Sequence, residues 1–142
     1  MCQTTLISNN IVRLGTRSYR QRMEVMNPNT VSVAQLSRLN RDLEAFYELL
    51  YDQWDTVTKE EYMAFGPQLV TMLQTLKELY LTCKKFLKGD AMNKQIELLG
   101  MNYAAIFEVN SDMVNFRIES AEDQQFENAI NEASKRINNG CF

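Results

Sequence analysis

Arginine residues are concentrated near the beginning of the chain, where they could bind an anionic partner. Residues 1–41 contain six arginines and a single acid, whereas residues 42–142 contain nine lysines or arginines and seventeen acids. The first part therefore carries a formal charge of +5 and the second a charge of −8, which together give the net charge of −3. The planar guanidinium group binds a phosphate or a carboxylate through paired hydrogen bonds. This asymmetry indicates an interaction surface.

Three of these arginines, Arg13, Arg17 and Arg20, follow the i, i+4, i+7 spacing of one helical face, and Arg22 lies close to them in the chain. The stripe could contact the phosphates of a nucleic acid, or it could dock on an acidic protein surface, either of another protein or of a second copy. It could also pair with acidic helices of its own chain, where each exposed pair contributes about 0–1 kcal/mol. Because a pI near 5.0 is unusual for a dedicated nucleic-acid binder, we favour protein over nucleic acid as the partner.

Aromatic residues form a second group that could make contacts. They occur close together in the chain as Phe46, Tyr47, Tyr51, Trp54, Tyr62 and Phe65. We expect most of these rings to seal one end of a helical bundle. Tyr47 and Tyr51 are the two that we expect to protrude, where they could anchor a partner.

The sequence shows no pattern typical of catalysis or metal binding. It has no histidine, which is the commonest general base and zinc ligand. It also lacks the glycine-rich, serine-nucleophile and metalloprotease motifs of common enzyme families. Glu44 and Glu48 share one helical face and fit a solvated surface better than a metal site. We therefore expect no enzyme activity, cofactor, metal or small-molecule substrate.

Cysteine usage and hydropathy bear on the compartment. Cys2, Cys83 and Cys141 are too few and too far apart for a disulfide framework or a zinc site. Cys83 falls on an apolar helical stripe, where we expect a free thiol packed as a small hydrophobic side chain. Neither a secretory signal nor an apolar run of about 18 residues is found. We expect a cytoplasmic protein in a reducing environment, with no membrane partner.

The elements that position these residues are predicted to be helices, because apolar residues recur every three or four positions. The clearest helix extends from about Gly66 to Lys88. Its seam consists of Leu69, Met72, Leu76, Leu79, Cys83 and Phe86. Thr58 and Glu61 form a capping box for a short helix before it, and we expect Gly66-Pro67 to break or bend the chain between the two.

Two further long helices and a weaker one complete the pattern. A capping box formed by Ser32 and Gln35 begins a helix over about Val33–Trp54. The polar face of that helix carries Arg38, Arg41, Asp42, Glu44, Glu48 and Asp52. Another helix covers about Ala91–Arg117, with Gly100 in its middle indicating a close helix crossing. The last begins after Ser120 and ends at Asn139-Gly140.

The predicted fold is all-α, an antiparallel bundle of four main helices in which sequence neighbours pack together, plus a short or extended N-terminal segment. The Arg-rich segment comprises residues 1–29 and the bundle domain residues 30–142. We expect a non-enzymatic protein-binding or structural subunit, an adaptor or assembly component of the kind that viruses, phages and mobile elements encode. Its arginine segment would become ordered on meeting its partner. The alternative is a small nucleic-acid-associated regulator that uses the same arginines.

Overall fold

The structure is a computed structural model that describes residues 15–117 and 121–138, with side chains described for residues 15–115 and 128–137. These residues form helices and no strands, which confirms the all-α bundle. Helix α1 occupies residues 15–25 of the described part. It is followed by α2 (Val33–Gln53), α3 (Lys59–Phe86), α4 (Asp90–Arg117) and α5 (Ala121–Asn138).

Both predicted capping boxes are present and set where α2 and α3 begin. The Ser32 hydroxyl accepts a hydrogen bond from the Gln35 amide at 3.1 Å, and the Gln35 side chain accepts one from the Ser32 amide at 2.8 Å. Thr58 and Glu61 make the same reciprocal pair at 3.1 and 2.9 Å. Each box satisfies two backbone donors that have no partner inside the helix.

Helix α3 continues through Pro67, so a break at Gly66-Pro67 is wrong and the short and long helices predicted on either side of it are one helix. Pro67 is exposed, and the carbonyl of Met63 that loses its hydrogen bond belongs to a residue on the solvent side, where water can replace the missing donor. Tyr62 and Phe65, on the other side of the helix, are completely buried. The burial of these two aromatic rings offsets the loss of helix stability, about 3 kcal/mol, that an interior proline causes.

The order of packing differs from the expected contact between sequence neighbours. Helix α4 lies beside both α2 and α3, whereas α2 and α3 are not close neighbours, and α5 packs against α3 and α4. Helices α3 and α4 are antiparallel, since Tyr62 meets Asn110 at one end and Tyr80 meets Gly100 towards the other. The connection from α2 to α3 is short, so α2 ends near Tyr62, whose partner Asn110 lies towards the end of α4. Asn40, near the beginning of α2, donates to Gln95, near the beginning of α4. Helices α2 and α4 are therefore parallel.

The core contains the apolar seams that the spacing predicts. Its completely buried members include Leu36, Leu39, Leu43, Leu69, Met72, Leu76, Leu99, Ile106 and Met113. The prediction that Phe86 belongs to this seam is wrong, since 55% of its surface is exposed. It is the last residue of α3, where the chain turns into α4. Among the described helices, none combines the length and apolar content needed to cross a bilayer.

Cys83 is a buried free thiol, as predicted, and its titration provides a test of the core. Burial raises the pKa of this thiol to about 11. The folded state binds the thiol proton more tightly than the unfolded state does. This difference stabilises the fold fully below about pH 9, and the stabilisation is lost as the pH rises towards 11. We expect Cys83→Ala to be less stable near neutral pH. Its deficit should shrink by about 2–3 kcal/mol across that interval in urea denaturation series. A deficit that stays constant would contradict a dry environment for the thiol.

Two interior glycines should respond differently to alanine. A Cβ at Gly66 would lie 2.4 Å from the ring of Tyr62, which is completely buried and cannot move aside. We therefore expect Gly66→Ala to lower the free energy of unfolding by about 1–3 kcal/mol despite its better helix propensity. A Cβ at Gly100 would lie 2.8 Å from the ring of Tyr80, which is only half-buried and can shift.

The close approach predicted at Gly100 is thus made by an aromatic ring of the neighbouring helix. We expect Gly100→Ala to stay within about 0.5 kcal/mol of the original protein, because the gain in helix propensity offsets the shift of the ring. Thermal denaturation of both variants measures the contrast. Equal losses at the two positions would show that the packing around Tyr62 and Tyr80 is not as described.

Candidate protein-binding surface

The predicted arginines do not form one free stripe. Arg13 lies outside the described residues. Arg17 is exposed and has no ion-pair or hydrogen-bond partner among the residues that the structure describes. The Nε atom of Arg20 lies 3.7 Å from Oε1 of Glu24, in the next turn of α1. Arg22 donates a hydrogen bond of 2.8 Å to Asp42 of α2. Two of the candidates therefore have acidic neighbours within their own chain.

Helix α1 is packed on α2. The ring of Tyr19 meets that of Phe46 edge to face, with 5.2 Å between the centroids, and Met23 is buried beneath the helix. Burial raises the pKa of the Tyr19 hydroxyl, Asp42 raises it further, and Arg22 lowers it. The helical residues 15–25 thus pack on the bundle, whereas residues 1–14 of the Arg-rich segment lie outside the described residues.

The two predicted tyrosines lie together on α2. Tyr47 is half-buried against the core, whereas Tyr51 is 58% exposed. Their ring centroids are 5.8 Å apart, as expected for side chains one helical turn apart. Tyr51 therefore presents its ring to solvent from a position that Tyr47 supports.

A groove that Tyr47 lines runs between α2 and α4, and we refer to it as the α2–α4 groove. It has a volume of about 330 Å³. Its walls include Arg41, Glu44, Tyr47, Glu48, Leu98 and Met101. Met101 is 61% exposed, which is unusual for a large apolar side chain. The groove thus has an aromatic wall on α2, an apolar wall on α4 and charged residues along its margin.

The base of the groove is an amide cluster formed by Asn40, Gln95 and Asn102. Asn40 is 5% exposed and donates to the backbone and side-chain oxygens of Gln95, both at 3.0 Å. Asn102 donates to the Asn40 side-chain oxygen at 3.1 Å and to its backbone oxygen at 3.3 Å. Buried polar groups with complete hydrogen bonding fix the register of the helices that carry them. The cluster therefore holds the two walls at a set distance.

Another cavity lies between α4 and α5 and has a volume of about 590 Å³. Its described lining is mostly polar and includes Asn110, Ser111, Asn128, Asn131, Glu132 and Lys135. The ionisable members, Glu132 and Lys135, are both exposed. The described residues also contain no group of three His, Cys, Asp or Glu placed to hold a metal ion.

No protein-family model, no curated protein and no solved structure matches this chain.

Proposed function

We propose that this protein is a non-enzymatic binding subunit, an adaptor or assembly component, that recognises another protein chain through the α2–α4 groove. The observation that carries this proposal is the exposure of Tyr51 and Met101, two large side chains on helices that the amide cluster holds together. Tyrosine and methionine are enriched in protein interfaces, where a few such anchors supply most of the binding energy.

The rigidity of the groove supports the same proposal. Tyr47 and Leu98 line it and are half-buried, so their positions are set by packing before any partner arrives. A site that is already ordered loses less conformational entropy when it binds. The charged margin, with Arg41 near Glu44 and Glu48, suits a partner that carries both signs of charge.

Protein is favoured over nucleic acid as the partner by the state of the arginines. Arg20 and Arg22 lie against acids, which leaves Arg17 as the exposed arginine of α1 without such a neighbour. Phosphate binding gains affinity from each arginine or lysine that releases counterions. Arg17 can contribute to docking at the edge of a protein interface.

The location that we propose is cytoplasmic. Cys83 is a free thiol, which fits a reducing compartment.

Co-purification of a tagged chain from its native cells tests the proposal. The double variant Tyr51→Ser, Met101→Ser is expected to lose its bound protein by about tenfold or more, because it removes both anchors. The control variant Met63→Ser alters an exposed methionine on α3 that lies outside the groove. Bound protein that survives the double substitution, or a bound species that nuclease releases, would overturn the proposal.

A further inference from the structure

The outward face of α2 carries a regular charge pattern that its own fold does not use. Five exposed residues follow a spacing of 3, 4, 3 and 4 and make up what we call the outer stripe: Arg38, Arg41, Ala45, Glu48 and Asp52. This spacing places side chains along one seam of a helix, the arrangement through which two helices pack. Along this seam two cations come first, then alanine, then two anions.

Contacts inside the chain do not account for the outer stripe. None of its charged residues makes an ion pair or a side-chain hydrogen bond with any residue that the structure describes. The order of the charges also opposes the helix dipole, which favours acids in the first turn and bases in the last. Helix α2 has no acid in its first turn and no base in its last turn, where Asp52 lies instead. The pattern is therefore not explained by the stability of the helix.

The outer stripe is complementary to itself when reversed. Arg38 and Asp52 lie seven residues on either side of Ala45, and Arg41 and Glu48 lie four and three residues from it. An antiparallel copy of α2, related by a two-fold axis at Ala45, would place Arg41 opposite Glu48 and Arg38 opposite Asp52, each pair twice. Alanine at the axis allows the two helices to approach closely.

We infer that a second copy of this chain docks on α2 as an antiparallel partner, through the outer stripe, about a two-fold axis at Ala45. The inference goes beyond the proposed function, because the outer stripe is a second surface that shares only Arg41 and Glu48 with the α2–α4 groove. Isologous contacts of this kind are the commonest in soluble homodimers. Tyr51, one helical turn after Tyr47 and next to Asp52 in the chain, would lie near Arg38 of the second copy, where an arginine can stack on an aromatic ring.

Complementary charge reversal tests this inference in the full-length chain. One variant, Arg38→Glu with Arg41→Glu, has an entirely acidic stripe, and the other, Glu48→Arg with Asp52→Arg, has an entirely basic one. Like charges opposite one another should weaken homodimer formation by about 100-fold or more in each variant. An equal mixture of the two should form a heterodimer, with twice the 16.5 kDa mass of one chain in light scattering.

Each reversed residue is exposed and makes no ion pair or side-chain hydrogen bond with the described residues, so both variants should keep the helical circular-dichroism spectrum of the original protein. Glu78→Arg, an exposed reversal on α3, is the matched control and should leave the dimer intact. Raising the salt concentration should weaken the original dimer, because the exposed charges are screened.

The outcomes separate this inference from the proposed function. Recovery of the dimer only in the mixture supports antiparallel self-docking, since loss of folding cannot be repaired by mixing. A chain that stays monomeric at every concentration, or variants that dimerise as well as the original, would overturn it. If the purified chain is monomeric but a different protein is lost from the Tyr51→Ser, Met101→Ser variant, the proposed function stands and the second copy is excluded.

Discussion

Replacing Asn40 with aspartate should destabilise the protein by about 3–5 kcal/mol near neutral pH, because it puts an unpaired charge at the base of the groove. Asn40 is 5% exposed, and its amide nitrogen donates to two oxygens of Gln95. An ionised carboxylate has no proton to donate and would face those oxygens directly. Only Asn102 would still donate to this position.

The loss should depend on pH with a defined sign. Burial raises the pKa of an introduced aspartate above its unfolded value of about 3.9, so the penalty is small below about pH 4 and grows as the pH rises. Asn40→Ala is the control, with an expected loss of about 1–3 kcal/mol that does not change with pH. Urea denaturation below about pH 4 and near neutral pH measures how the free energy of unfolding of each variant changes. Equal losses for the two variants near neutral pH would mean that water reaches the amide cluster.

Removing the ring of Phe46 should cost about 3–5 kcal/mol and release α1 from the bundle. Phe46 is 4% exposed, and its ring meets both Tyr19 and the backbone at Gly15. The Phe46→Ala substitution therefore opens a cavity between α1 and α2. Hydrogen exchange should accelerate over residues 15–25 more than over α3.

The ion pair between the same helices is expected to matter much less. Arg22 and Asp42 are each more than a third exposed, so Asp42→Asn should cost at most about 1 kcal/mol. Slow exchange in residues 15–25 of the Phe46→Ala variant would show that α1 is held by other contacts. Fast exchange of α1 in the original protein would show that this helix is not docked.

The helices could be predicted because their signals are local. Capping boxes at Ser32 and Thr58 and the apolar spacing of Leu69 to Cys83 depend only on nearby residues. The effect of Pro67 could not be predicted in this way. It depends on which side of the helix faces water, and that is decided by the burial of Tyr62 and Phe65 in the assembled bundle.

The partners of polar residues were harder to predict, since they come from distant parts of the chain. Asn40 lies on the apolar side of its helix, four residues after Leu36, which is a usable sign of burial. Its partners Gln95 and Asn102 follow only from the parallel packing of α2 and α4. Lys77 stands likewise four residues after the buried Leu73, but its own burial, at 3% exposure, could not be predicted because long charged side chains are normally at the surface.

The partners of the arginines at the candidate site could not be predicted from the sequence either. Their number and spacing are visible in the sequence, but the pairing of Arg22 with Asp42 requires α1 to fold back along α2. Conversely, exposure of Met101 could not be inferred from its type. The sequence indicated Tyr47 and Tyr51 on α2, and the structure adds the opposite wall that makes a groove.

Site-specific photo-crosslinking in cells tests most directly whether the α2–α4 groove is the binding surface. A photoreactive amino acid would replace Tyr51 in one variant, Arg17 in a second and the exposed Gln74 of α3 in a third. We expect a discrete protein adduct from position 51, a weaker one or none from position 17, and none from position 74. Adducts mainly from position 17, or none from position 51, would contradict the assignment of binding to the groove.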